Sequence, residues 1–237
     1  MNFIINNKKV LEILKKMDVK KELTDDIIIK KSGNGITFYN GDAITIVSHF
    51  LEVEAEGDES SYILDGSELS KYLSKLNGDV LFTFGDSLIL SQNNNEFHIP
   101  LIDRHAFSEE FYNTNMLNVV PNSTLESCSL KFEGRFTIPY ADFSSALELC
   151  FITGDVVSVS LTPEEVSFFS SRAGRISSLS FAIEDFVGEE ASVNFSGKID
   201  SFFKGEENLT FFLKDDYPLL IVSDNCKMLR APRVDNE

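Results

Sequence analysis

Tryptophan is absent, histidine occurs three times, and lysine with arginine fill 21 positions against 38 for aspartate with glutamate, a formal charge of −17. That balance opposes binding of nucleic acid by the surface as a whole, because holding a phosphate backbone needs concentrated Lys and Arg. Cys128, Cys150 and Cys226 are odd in number and widely scattered, with no C-x-x-C and no neighbouring His. Neither a disulfide framework nor a zinc site is indicated, and reduced thiols are expected. No stretch approaches the roughly 18 uncharged apolar residues of a membrane span. Met1-Asn2-Phe3-Ile4-Ile5 lacks the layout of a signal peptide, so an intracellular protein without membrane contact is expected.

Catalytic patterns are missing too. His49, His98 and His105 belong to no motif that pairs them with a nucleophile or a metal-ligand partner, and G-x-x-x-x-G-K-[S/T], G-x-G-x-x-G and G-x-S-x-G do not occur. No catalytic residue, metal ligand or cofactor is assigned, and an enzyme is not expected. Glu52, Glu54, Glu56, Asp58 and Glu59 form an acidic run that could hold a cation, but without regular ligand spacing it reads as a solvated loop.

What is present is an apolar fraction of 43% with 21 Phe, enough for an ordinary globular core. The chain also resembles itself when slid by 130 residues. Leu69, Tyr72 and Leu73 fall on Ile199, Phe202 and Phe203; Leu81 and Phe82 fall on Phe211 and Phe212; Ile36, Phe38 and Tyr39 fall on Val166, Phe168 and Phe169. So long a period is no solenoid unit, where repeats run roughly 20–50 residues, and it indicates two copies of one domain. The boundaries read as 1–102 for the first domain, 103–126 for a connecting linker and 127–237 for the second.

From Lys8 to about Lys21, Val10, Leu11, Ile13, Leu14 and Met17 recur at helical spacing while lysines share the opposite face with Glu12. Lys8, Lys9, Lys15, Lys16, Lys20 and Lys21 gather six of the 21 basic residues into this one element. Strands read through Ile27–Lys31, Ile36–Asn40 and Ile44–Val53, with a glycine turn after the first. Asp65-Gly66-Ser67-Glu68 then caps a helix bearing Leu69, Tyr72, Leu73 and Leu76, with Lys71 and Lys75 on its solvent side. Val80–Phe84, Ser87–Leu90 and Glu96–Ile102 form a meander.

In the second copy Leu130–Ile138 reads as a strand, and a helix follows Pro139 with Phe143, Ala146, Leu147 and Cys150 inward. Strands come at Val156–Leu161, Val166–Ser170, Arg175–Ile183 and Ala191–Asn194. A short helix carries Ile199, Phe202 and Phe203 before strands at Leu209–Lys214, Leu219–Ser223 and Lys227–Arg230.

Tyr217-Pro218-Leu219-Leu220 and Lys227-Met228-Leu229-Arg230-Ala231-Pro232-Arg233-Val234 resemble the final hairpin and Ala-Pro-basic-aliphatic tail of archaeal and eukaryotic sliding clamps. Phe136-Thr137-Ile138-Pro139 with Phe143 and Asp155, and Leu101-Ile102-Asp103, are similar to clamps of the proliferating-cell-nuclear-antigen type. Val119-Val120-Pro121-Asn122 looks closer to tailed-phage clamps. The resemblance follows the family's order over essentially the full length.

It implies an α+β DNA clamp fold, two domains each βαβββ twice over, with three chains closing head to tail around double-stranded DNA, helices lining the hole and sheets outside. The pairing edges would be about Glu96–Ile102 and Arg175–Phe181. A ring that slides needs weak, movable phosphate contacts, which flexible lysines supply without reading sequence. Lys8, Lys9, Lys15, Lys16, Lys20, Lys71, Lys75, Lys198 and Lys204 would face DNA, while the second domain's first helix shows Ser144, Ser145 and Glu148, so the contact would lean toward the first domain. The alternative for the lysine stripe is a solvated helix face.

The resemblance further implies a hydrophobic pocket for DNA polymerase and other replication partners, with a clamp loader ATPase as a further partner. Carried over, Ile44 and Ile46 would form its floor, Pro218 a wall, Leu229, Ala231 and Pro232 the tail side, and Phe107 and Phe111 the linker's share. The plainer reading of Ile44 and Ile46 is strand core. Leu229-Arg230, and Tyr39-Asn40-Gly41-Asp42 before Ile44, depart from the cellular pattern, so the preferred peptide would differ from Gln-x-x-aliphatic-x-x-aromatic-aromatic. A subunit of a heterotrimeric or checkpoint-type clamp and a non-ring two-domain scaffold are the competing readings.

Overall fold

Phe3 and Ile5 are buried while Asn2 and Ile4 face out, the period-two pattern of a half-covered strand, and Asn2–Asn6 forms β1. The computed structural model describes residues 1–19, 25–42, 44–103, 125–127 and 130–233. After β1 the Asn6 side chain accepts the Lys8 amide and opens α1 (Asn7–Lys16), whose Val10 and Ile13 are buried.

This helix is shorter than its sequence pattern. The Met17 carbonyl accepts both the Val19 amide and the Asn40 side chain, and Val19 turns into the core, so the helical ladder stops at Lys16. Lys20 and Lys21 lie outside the described residues, as do Cys128, Val234 and the linker positions that include Phe107 and Phe111.

Next come β2 (Asp26–Ser32), β3 (Gly35–Gly41), β4 (Thr45–Glu52), the two-residue β5 (Ala55–Glu56) and β6 (Ser61–Asp65). Asp65 accepts the Glu68 amide at 2.9 Å and starts α2 (Gly66–Leu73), which buries Leu69 and Leu73. β7 (Asp79–Phe84), β8 (Ser87–Gln92) and β9 (Asn95–Pro100) complete the meander.

The chain divides into two compact units, Met1–Asn113 and Thr114–Glu237. In the first, β5-β1-β7-β8-β9 make one antiparallel sheet and β4-β3-β2-β6 another. Phe3 stacks on Phe82 at 4.7 Å between ring centroids, and these buried side chains with Val10, Leu69 and Leu90 form its core.

The second unit repeats the plan. Its elements are β10 (Glu126–Ser127), β11 (Leu130–Lys131), β12 (Gly134–Pro139), α3 (Tyr140–Thr153), β13 (Val156–Leu161), β14 (Glu165–Arg172), β15 (Arg175–Ala182), β16 (Val187–Gly188) and β17 (Ala191–Ser196). A 3₁₀ turn (Asp200–Phe203), β18 (Asn208–Leu213), β19 (Leu219–Val222) and β20 (Cys226–Arg230) follow. The sheets β16-β12-β18-β19-β20 and β15-β14-β13-β17 match those of the first unit strand for strand. Phe143, Phe168 and Phe211 pack ring against ring, with Phe136 stacked on Phe211 at 4.8 Å.

Two details differ from the sequence reading. The run Leu130–Ile138 is not one strand, because the Phe132 amide bonds the Leu125 carbonyl and the ladder with β18 begins only past it. Gly134 then passes so close to the Glu189 carbonyl that a Cβ would stand 2.6 Å from its oxygen. The expected second helix around Ile199 is the single 3₁₀ turn, confined between Gly197 and Gly205, both at positive φ. None of the described helices is long and apolar enough to cross a membrane.

Candidate nucleic-acid interface and partner surface

On α1 the side chains of Lys8, Lys9, Glu12 and Lys15 are exposed, opposite the buried Val10, Ile13 and Met17. Lys16 differs: its side chain is only 16% exposed, and its Nζ lies 3.6 Å from Glu12 Oε1. α2 exposes Lys71, whose Nζ sits 5.7 Å from the centre of the Tyr72 ring, and Lys75 follows just beyond the helix, also exposed. The two helices pack side by side. Lys15 and Lys71 thereby line one groove of about 690 Å³ together with Ser67, Ser70, Asp18 and Asp25.

Asn7 holds this pair of helices in place. Its buried amide donates to the carbonyls of Leu73 at 3.1 Å and Leu76 at 2.8 Å, while its Oδ1 accepts the Gly78 amide at 3.1 Å. The start of α1 is thus tied to the end of α2, and with it one group of lysines to the other. Asn7→Ala strips the Leu76 carbonyl and the Gly78 amide of their partner, while the Leu73 carbonyl keeps the Leu76 amide, and should lower stability by about 2–4 kcal/mol. Urea unfolding of the two proteins under one set of conditions measures this, and an unchanged midpoint would remove the clamp role given to Asn7.

In the second unit α3 buries Phe143, Ala146, Leu147 and Cys150. Its outward side chains are Ser145, Glu148, Leu149 and Ile152, with Ser144 half-buried against Asp200 at 3.4 Å, and no lysine. Ile152 is 79% exposed. Lys198 and Lys204 are exposed but flank the 3₁₀ turn instead of lying on a helix face. Arg172 and Arg175, at the two ends of the β14–β15 turn, were not singled out from the sequence. Their only signal there is the Arg-Ala-Gly-Arg spacing between two strands, with Ala173 and Gly174 both at positive φ.

β9 closes one end of the first unit's five-stranded sheet and β15 one end of the second unit's four-stranded sheet, and among the described residues neither has a strand on its outer side. Behind β9, Phe97 stacks on Tyr72 of α2 at 5.1 Å. β15 carries Ile176, Ser177, Ser178, Leu179, Ser180 and Phe181 with no charge between Arg175 and its end.

The partner-pocket candidates fall on both units, some within each. Asp42 Oδ1 accepts the amides of Ile44 at 2.8 Å and Thr45 at 2.6 Å, a tight turn that holds Ile44 outward and 50% exposed instead of in strand core. Ile46, inside β4 opposite Gly41, is half-buried. In the second unit Pro218, Ala231 and Pro232 are half-buried and Leu229 is buried. The Arg233 amide bonds the Asn194 carbonyl and fixes the start of the tail.

Burial pushes the Cys150 thiol up, against a hydrogen bond from Ser177, and likewise raises the Tyr39 hydroxyl, against hydrogen bonds with Thr37 and Ser32; it pulls Lys227 down. None of these groups lies on the lysine-bearing faces. Among the described residues no group of three or more His, Cys, Asp or Glu could hold a metal ion.

No protein-family model matches the sequence, and no curated protein matches it. Solved structures do match. A structure of the C-terminal region of FEN-1 bound to A. fulgidus PCNA superposes with a TM-score of 0.77 at 17% identity, covering 100% of this chain and 99% of that one. PCNA from Thermococcus kodakaraensis gives 0.71 at 14% identity, covering 98% and 99%. The Helicobacter pylori beta clamp bound to a DNA ligase peptide gives 0.76 at 13% identity, covering all of this chain and 67% of that one. With its sheets and helices in this order over its full length, the chain has the α+β fold of the sliding clamps.

Proposed function

We propose that this protein is a DNA polymerase processivity factor, a homotrimeric ring that encircles duplex DNA and tethers polymerase and other replication proteins. The observation that carries the reading is the exposed lysine set of α1 and α2 within a chain of charge −17 that has the clamp fold. A large negative surface disfavours adventitious DNA contact, and a local cationic face supplies weak, sequence-independent attraction. Lys8, Lys9, Lys15, Lys71 and Lys75 carry most of that attraction, with Lys198 and Lys204 as the second unit's share. The protein does no chemistry of its own in this scheme, and a clamp loader ATPase opens and closes the ring. It acts inside a cell, wherever its polymerase copies DNA.

The decisive experiment is retention on DNA after loading. Circular DNA should hold the protein and linearised DNA should release it, since only an encircling ring distinguishes the two. Equal retention on both would sink the proposal. Light scattering on the same preparation separates the competing assemblies: a mass of three identical chains supports the homotrimer, and a stable monomer supports the non-ring scaffold.

Partner peptides dock on Ile44 and Ile46 of the first unit and on Pro218, Leu229, Ala231 and Pro232 of the second, with Phe107 and Phe111 as linker contributors. The FEN-1 region bound to one structural neighbour and the ligase peptide bound to another support peptide docking as the mode. Ile44→Ser should weaken the docking peptide of the chain's own polymerase about tenfold in calorimetry, the loss of roughly 1.4 kcal/mol of apolar contact. Stability should not change, because Ile44 is already half in water. An unchanged affinity would move the docking surface elsewhere.

A further inference from the structure

The outward face of the sheet β5-β1-β7-β8-β9 carries apolar side chains that the clamp reading does not use. Ile4 on β1 and Leu81 on β7 stand directly opposite each other across the strands and are 61% and 37% exposed. Ile89 on β8, half-buried, lies diagonally from Leu81, opposite Thr83, while Ser91 stands directly across from Leu81. Single exposed apolar residues are ordinary on a protein surface, but adjoining ones on three neighbouring strands make a patch.

The patch has a wall and a rim of one charge. β5 pairs Asn2 with Glu56 and Phe3 with Ala55, so its antiparallel course brings Glu54 beside Ile4. Ile4, Leu81, Val53 and Ala55 with Glu54 and Glu56 line a shallow groove of about 550 Å³. Asp79 and Glu96 are exposed on the same sheet, and none of its five strands contains a Lys or Arg. Beyond Phe3 the outer edge of β1 has no paired strand among the described residues. The acidic run is therefore not merely a solvated loop: part of it is built into the sheet as the edge of an apolar floor.

We propose that this groove docks a cationic, apolar peptide segment of another protein, with a bulky aliphatic or aromatic side chain on Ile4 and Leu81 and Lys or Arg on either side of it paired with Glu54 and Glu56. The apolar floor gives contact area, while the exposed carboxylates of Glu54 and Glu56 give steering and select against acidic partners. The site lies wholly within the first unit and does not depend on ring formation.

The test uses the full chain labelled at isoleucine methyl groups, titrated at about 0.15 M salt with a short synthetic peptide that has leucine and phenylalanine at its centre and two Lys or Arg at each end. The Ile4 and Ile89 methyl signals should move, while those of Ile44, Ile152 and Ile176 stay in place. Ile4→Ser with Leu81→Ser should weaken binding at least tenfold. Glu54→Lys with Glu56→Lys, which leaves the floor intact, should do the same and gain binding to a counterpart peptide with Glu at its ends. The proposal is overturned if the shifts fall on other isoleucines, if both variants bind as the parent does, or if a peptide with serine at its centre binds equally well, which would leave charge attraction alone. It is also overturned if the Ile4→Ser and Leu81→Ser protein loses mass in light scattering, because the face would then belong to a second copy of the chain.

Discussion

In the proposed ring, Leu149→Lys combined with Ile152→Lys should reduce the assembly from three chains to one while leaving each chain folded. Both side chains project from the last turns of α3, away from the buried Phe143, Leu147 and Cys150. Ile152 is the most exposed large apolar residue described, and Ile176 at the start of the nearby β15 is the next. Covering one such side chain stabilises by about 1.5–3 kcal/mol, so losing two from each contact removes roughly 3–6 kcal/mol per interface, a factor of about 10² to 10⁴.

β15 itself supports the assignment. An exposed strand edge is normally blunted by charge or proline, yet this one runs from Ile176 to Ala182 without either. The β9 edge, with Phe97 seated on Tyr72, offers a complementary end, and a head-to-tail contact between two different edges forms a ring when its rotation closes. Lysine suits the end of a helix electrostatically, so a loss of assembly would not come from a weakened α3. Light scattering reads the mass and circular dichroism the fold. A variant that remains trimeric would move the subunit contact off α3 and β15.

The repeated plan was legible because each unit writes its strands in alternation: Val157, Val159 and Leu161 point inward while Val156, Ser158 and Ser160 do not, and β13 falls on the residues its pattern names. Helical spacing likewise identified the buried face of α3. What escaped reading depends on contacts distant in sequence. The end of α1 is set by Asn40 taking the Met17 carbonyl, 23 residues away. The 3₁₀ turn reflects two glycines that leave Ile199, Phe202 and Phe203 room for one turn only.

The candidate site shows the same division. Helical periodicity places Lys8, Lys9 and Lys15 on one face, and the four-residue spacing of Glu12 and Lys16 on α1 is itself the local signal that Lys16 pairs with Glu12. Ile44 looks like strand core by composition, and only the Asp42 turn turns it outward. Ile4 and Leu81 become a surface only through the pairing of β1 with β7.

Lys15→Glu with Lys71→Glu should impair loading onto circular DNA at low salt while the proposed trimer persists. These two lysines come from different helices yet line one groove, and in the proposed trimer the double change reverses six charges. Each phosphate contact contributes about 0.9 to the slope of log affinity against log salt, and six to ten contacts govern a range of roughly 10³ to 10⁵ between 50 and 200 mM. A loss of at least tenfold in the amount loaded at 50 mM, with a salt slope of association lower by about 2 or more, is therefore expected. Lys16→Glu is the sharper control. Its side chain is mostly covered and its charge is already answered by Glu12, so it offers little to a phosphate and its reversal should cost less than half as much as Lys15→Glu. Equal effects at Lys15 and Lys16 would mean that net charge alone matters. No effect at Lys15 and Lys71 would place the DNA face away from α1 and α2.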